Sequence, residues 1–199
     1  MFFKIIYFLY FSCIAAYVPY LALYLERSGI PGTKIGLILA VSPALRVIVT
    51  PLWGMLADKK KWHRQIFIFC ALGAALIAPF YIFSNTFWAF MITQSLFIAL
   101  RAPLVSISNK LAMEVQSGGD FDFGRARLFG SIGFALTAII GGRIAQIYDI
   151  WVLFAYLSFA LFLASILGSK LPRSTDTHAS DLLSNLSDIW QQKTLIIFF

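Results

Sequence analysis

Apolar residues run through this chain in blocks of about 20, the length a membrane-spanning helix needs, with short polar breaks between them. Six blocks stand out: 5–25, 35–56, 66–83, 87–108, 128–147 and 151–167. The pattern predicts an all-α transmembrane protein. The first block is too long for a signal-peptide core and is interrupted by tyrosines, so it reads as a retained helix. The breaks Ser84-Asn85-Thr86 and Tyr148-Asp149-Ile150 are tight enough to make spans 3 and 4, and spans 5 and 6, antiparallel hairpins. Residues 1–169 are therefore expected to form a six-helix bundle. Residues 170–187, rich in Ser, Thr and Asp, read as a cytoplasmic linker. Residues 188–199 turn apolar at Leu195-Ile196-Ile197-Phe198-Phe199 and are expected to begin a seventh helix.

Composition agrees with that reading. The 199 residues are 60% hydrophobic and 13% charged, against about 45–50% and about 25% in soluble domains. A net charge of +7 on such a chain does not indicate nucleic-acid binding. Lys4, Lys59, Lys60, Lys61, Arg64, Lys110, Arg125, Lys170, Arg173 and Lys193 fall on one side of the predicted bundle, and Arg27, Lys34 and Arg143 on the other. The positive-inside rule makes the richer side, including the N-terminus, cytoplasmic in a cell (inner or plasma) membrane. Six spans, an even number, independently return the chain to the side where it began. Cys13 and Cys70 sit in apolar blocks and offer neither a disulfide framework nor a metal site. No cofactor is expected.

The polar residues inside the spans are few and ordered. Tyr7, Tyr10, Tyr17, Tyr20 and Tyr24 share one face of span 1, which reads either as a cavity lining or as an interfacial belt with packing. Ser42, Arg46 and Thr50 share one face of span 2. Gln94, Arg101 and Ser108 share one face of span 4. An intramembrane arginine costs at least about 2.5–3.5 kcal/mol on insertion scales, so it faces a bundle interior or a wet cavity. Pro103 frees backbone carbonyls that Arg101 is expected to serve. Ala126, Gly130, Gly133, Thr137 and Gly141 make a small-residue stripe along span 5, expected to admit a neighbouring helix closely. All nine acidic residues lie outside the centres of the spans. The field inside the spans is thus positive and suits an anionic or hydrogen-bonding solute better than a cation. Spans 3 and 6 hold no ionisable residue and are expected to face lipid.

Three segments carry a resemblance. Gly54-Met55-Leu56-Ala57-Asp58-Lys59-Lys60-Lys61-Trp62-His63-Arg64 resembles the cytoplasmic loop signature of the major facilitator superfamily, departing from it at the second glycine, where Lys61 stands. Phe123-Gly124-Arg125-Ala126-Arg127-Leu128-Phe129-Gly130-Ser131 is similar to the segment opening helix 5 in the lactose permease and phenylpropionate permease-like subfamily. Ile189-Trp190-Gln191-Gln192-Lys193 resembles the approach to helix 7. The resemblance implies the N-terminal half of a twelve-helix bundle, built as two inverted three-helix repeats. Gly36, Gly54 and Ala57 recur at one constant offset as Gly124, Gly142 and Ala145. It also implies that spans 1, 2, 4 and 5 surround a path, with 3 and 6 outside. In lactose permease the second arginine of the run, here Arg127, pairs with a helix-4 acid to bind sugar. That position here is Ser106 or Asn109, neither of them acidic.

These readings predict a secondary active transporter, proton-coupled by resemblance, for a small organic solute such as an aromatic acid, a nucleoside or a sugar. Tyr17, Arg46, Gln94, Arg101 and Arg127 are the expected substrate-binding residues. Gly54, Asp58 and Arg64 form the expected conformational loop, and Gly130, Gly133 and Gly141 the helix-packing positions. The coupling carboxylate is expected in a C-terminal six-helix half. The rival class, a membrane-embedded enzyme, finds no His-Glu-x-x-His, no Gly-x-Ser-x-Gly and no intrahelical Asp pair. The alternative is a non-transporting binding or assembly protein from a truncated gene. In a Cys13/Cys70-free background, cysteines placed in 59–64 and 110–122 should resist a membrane-impermeant thiol reagent added outside intact cells, and those in 26–34 should react. External labelling at position 61 would invert the topology.

Overall fold

The computed structural model describes residues 2–117 and 122–172; the expected segment 188–199 and nearly all of the linker lie outside them. The described residues form eight helices and no strand: α1 (Phe2–Arg27), α2 (Gly32–Lys60), α3 (His63–Ile77), α4 (Phe80–Phe83), α5 (Phe87–Arg101), α6 (Pro103–Ser117), α7 (Phe123–Ile147) and α8 (Trp151–Gly168). They make six spans long and apolar enough to cross a membrane, with α3–α4 and α5–α6 each serving as one. The predicted turns at 84–86 and 148–150 separate spans as expected. Span 5 opens earlier than the apolar pattern shows, at Phe123, because the Asp122 carboxylate caps it by accepting from the Arg125 amide at 3.1 Å. Thr86 caps α5 in the same way through the Ala89 amide.

Prolines divide spans 3 and 4, and the backbone they disrupt is repaired from elsewhere. Pro79 has no N–H for the Ala75 carbonyl, which instead accepts from Ser158 Oγ of α8 at 2.7 Å. Pro103 likewise abandons the Ala99 carbonyl, which accepts from Trp53 Nε1 of α2 at 2.9 Å. The carbonyl expected to engage Arg101 is thus taken by Trp53, because the indole of α2 reaches it first. In an apolar medium such repairs are obligatory, since no water is available to the freed group.

The packing has an internal symmetry. Span 5 lies along span 1, and span 2 along span 4; spans 3 and 6 lie against each other. Exchanging spans 1–3 with spans 4–6 maps the first two pairs onto each other and the third onto itself. That is the arrangement two three-helix repeats require, and the odd number of spans in each makes them inverted. The glycine stripe makes the closest of these approaches. A Cβ on Gly133 would lie 2.5 Å from the Phe8 carbonyl oxygen, and one on Gly130 would lie 2.6 Å from the Phe11 ring. Gly141 meets Tyr20 at ordinary contact distance. Ser12 of α1 seals the seam, bonding the Thr137 hydroxyl at 2.6 Å and donating to the Gly133 carbonyl at 3.2 Å. Gly54, by contrast, has nothing within 4 Å of a built Cβ, so among the described residues no helix approaches it closely. Its helix is the least covered: only Ile38 and Ala57 of α2 are buried.

Charged residues gather at both ends of the bundle. Asp58 meets Lys110 at one end, where Lys170 also lies over the Phe2 ring. Arg27 meets Asp149, and Lys34 lies over Phe87, at the other.

Gly133→Ala should destabilise the bundle by about 1–3 kcal/mol, because the added methyl meets backbone and cannot be accommodated by a rotamer change. Gly36→Ala, with open space at its Cβ, should leave the unfolding temperature in detergent unchanged or raise it. Equal midpoints for the two variants would refute the close α1–α7 seam.

Candidate functional site

Gln94 stands in the middle of α5, fully buried, and its amide is engaged on both ends. Its Oε1 accepts from the Tyr17 hydroxyl of α1 at 2.5 Å and from the Tyr81 hydroxyl of α4 at 2.5 Å. Its Nε2 donates to Ser42 Oγ of α2. Four helices are joined at one side chain. Tyr81 was not singled out in the sequence, since a single tyrosine beside a proline in an apolar span carries no periodic signal.

Two turns along from Gln94 lies Arg101, only 1% exposed. Its guanidinium carbon sits 5.4 Å from the Tyr17 ring centroid, 5.7 Å from Phe97 and 5.9 Å from Tyr10. These ring contacts stabilise a cation through the aromatic quadrupole but supply no hydrogen-bond acceptor. Among the described residues nothing accepts from Arg101 Nε or Nη1. Tyr17, Val18, Leu21, Leu39, Ser42, Pro43, Arg46 and Arg101 line a cavity of about 540 Å³ between α1, α2 and α5. Of the expected binding residues, Tyr17, Arg46 and Arg101 therefore line one cavity, and Gln94 braces its wall from behind.

Arg127 is not brought to this cavity. It is exposed on the first turns of α7, and no residue of α7 lines the cavity. The expectation that spans 1, 2, 4 and 5 share the lining holds for three of them; span 5 is occupied by its glycine seam with α1. The tyrosine stripe divides similarly. Tyr7 donates to Asn109 Oδ1 at 2.7 Å, Tyr20 to the Ala138 carbonyl at 3.1 Å, and Tyr24 packs edge-on against Phe90 and Phe154. Only Tyr17 of the five lines the cavity. A central helix presents its residues to several neighbours at once, so one stripe serves several contacts.

Across residues 1–199 the sequence matches the MFS_1 like family. The chain belongs to this family, and so to the major facilitator superfamily. It is 30% identical over 172 residues to the maltose permease of Geobacillus stearothermophilus, covering 86% of this chain and 44% of that protein. It is 26% identical over 183 residues to the uncharacterized transporter YwbF of Bacillus subtilis (strain 168), covering 91% and 46%. It is 26% identical over 173 residues to the probable 3-phenylpropionic acid transporter of Escherichia coli (strain K12), covering 85% and 44%. The chain spans about half the length of the curated relatives it matches. It is a multi-pass membrane protein.

In this MFS_1 like protein the loop after span 2 is a compact charge cluster. Asp58 accepts from Lys110 Nζ at 2.5 Å and lies 2.9 Å from His63 Nε2, joining spans 2, 3 and 4 at one end. Lys61 takes the position of the signature's second glycine and adopts its left-handed conformation, with φ 55° and ψ 32°. The turn survives the departure, at a cost of roughly 1–2 kcal/mol for a side chain in that region. Arg64 is half-buried, and its Nε has no hydrogen-bond partner among the described residues. His63, read from the sequence as one more member of a basic loop, is buried and opens α3.

Gln94→Leu should lower stability by about 1–3 kcal/mol for each hydroxyl it orphans, here those of Tyr17 and Tyr81. Gln94→Glu keeps both acceptor bonds and should retain more of the midpoint in thermal unfolding. If Gln94→Leu proves the more stable of the two, the hub is not what holds the cavity wall.

Proposed function

We propose that this chain is the N-terminal half-bundle of a secondary active transporter and that the cavity between α1, α2 and α5 binds its solute. One observation supports this above others. A polar set joined across helices, Tyr17–Gln94–Ser42 with Arg101, borders a cavity inside six apolar spans. Polar and ionisable groups at that depth are costly unless they serve a substrate or ion path. The relatives named permeases for maltose and, as probable, for 3-phenylpropionic acid put sugars and aromatic acids first among candidate solutes; a nucleoside is the third. Arg127, at the start of span 5, belongs to this reading as a residue met by solute or by the other half at a different point of the cycle.

The uncovered faces support the same reading. Leu37, Val47, Ile48, Leu52 and Met55 on α2 are exposed, as are Leu128, Ile132, Leu136 and Ile139 on α7. A second six-helix half seated against these helices would close the cavity on one side of the membrane at a time, and rocking of the two halves would alternate access. Gly54, Asp58 and Arg64 lie where such rocking must break and remake contacts. The Asp58–Lys110 bond is suited to holding one state closed. We place the N-terminus in the cytoplasm of a cell membrane, and proton coupling on a carboxylate in the second half.

The 199-residue chain reconstituted alone into vesicles with an inward proton gradient should not accumulate maltose or 3-phenylpropionate. The same chain joined to a C-terminal half should accumulate one of them and lose that activity when the gradient is collapsed. Accumulation by the chain alone would overturn alternating access between halves. Binding without transport by the joined halves would favour a non-transporting receptor.

A further inference from the structure

We propose that the cavity between α1, α2 and α5 selects a carboxylate on an apolar body, with Arg101 as its anchor. This rests on the transporter reading only in taking this cavity as the solute site. The ground is the direction in which the cavity's hydrogen bonds run. Arg101 has two buried N–H groups, on Nε and Nη1, with no acceptor among the described residues. A guanidinium with unpaired N–H groups and no counter-ion is matched by a carboxylate, which accepts charge-assisted hydrogen bonds from it. Ser42 Oγ accepts from Gln94 and bonds the Tyr17 hydroxyl as well. The Tyr17 hydroxyl is committed to Gln94 Oε1 and is held at the cavity wall. Arg46 adds a second guanidinium, which has donors and no acceptor.

The lining therefore offers donors from Arg101 and Arg46, and no carboxylate is among its residues. A sugar or nucleoside hydroxyl donates as well as accepts, and in this cavity its hydrogens would find few side-chain acceptors. An ammonium would meet two cations. A carboxylate accepts only, through two oxygens, and carries the charge the guanidinium lacks. The remaining lining, Val18, Leu21, Leu39 and Pro43, offers an apolar wall for the body of the solute. The rings of Tyr10, Tyr17 and Phe97 hold the guanidinium without using its N–H groups. The anchor is thus fixed in place with those N–H groups unpaired among the described residues.

The test is binding to the chain in lipid nanodiscs, by calorimetry, of 4-phenylbutyrate, its amide, 4-phenylbutylamine and methyl glucoside. The carboxylate should bind about 100-fold more tightly than the isosteric amide, and the amine and glucoside more weakly still. Affinity should fall about tenfold per pH unit below the ligand's own pKa, since protonation removes the charge Arg101 reads. Arg101→Gln should remove the preference for carboxylate over amide. Arg101→Lys should restore only part of it, because an ammonium lacks the planar donor set and weak hydration of a guanidinium. The ligand series on the unaltered chain decides the matter even if Arg101→Gln does not fold. Equal affinity for carboxylate and amide would overturn the proposal, as would an unchanged preference in folded Arg101→Gln. Tight binding of the glucoside dependent on Tyr17 and Ser42 would overturn it while leaving the transporter reading standing. Carboxylate binding through Arg101 with no transport by the joined halves would support it and refute that reading.

Discussion

Arg101 is a cation in the interior of a bundle whose exterior is built for lipid, and much of the architecture follows from what that charge requires. Its desolvation is offset in part by three aromatic rings rather than by an acid. The rings must then be held in place. Tyr17 is fixed by Gln94, which also takes the Tyr81 hydroxyl and donates to Ser42. Tyr81 in turn stacks on Phe154 of α8, with centroids 5.1 Å apart. The arginine thereby engages most of the bundle through a chain of contacts that begins with its own ring neighbours. Aromatic contacts leave the guanidinium without a counter-ion among the described residues.

The same economy governs the backbone. Prolines in spans 3 and 4 break the helical ladder at two carbonyls, and each is met by a side chain from the helix packed alongside. In water such a break would be hydrated. In a bilayer it must be closed by protein, so the proline and its donor act as one unit. Trp53 therefore does two things: it repairs span 4, and it fixes span 2 beside it on the cavity side. The seam of span 5 against span 1 works by shape instead. Missing side chains at Gly130 and Gly133 let the chains meet at contact distances that any Cβ would prevent.

These two kinds of contact leave the helices unequally held. Span 1 is enclosed by spans 5 and 6 and by the polar hub, whereas spans 2 and 5 keep broad apolar faces uncovered. At the end opposite Arg27–Asp149, spans 2, 3 and 4 are joined by the single carboxylate of Asp58. A junction made of ion pairs at a partly exposed end is cheaper to break than an apolar seam, so relative movement of the helices is easiest there.

The number of spans, the turns between them, the glycine seam and the burial of Arg101 were legible from the chain alone. Each depends on local properties: the length of an apolar run, the spacing of small residues, the cost of a charge far from water. The repeat was legible as a constant offset of small residues. What residues meet across helices was not. Gly54, a glycine of the loop signature, meets nothing among the described residues, because its helix face is uncovered. Five tyrosines of one stripe reach different neighbours, because span 1 is surrounded. Pro103 announced a free carbonyl, but whether Arg101 or Trp53 would reach it depended on how span 2 lies against span 4. Which side chain reaches which partner is fixed by the positions of whole helices, a property of the packed bundle that no local spacing contains.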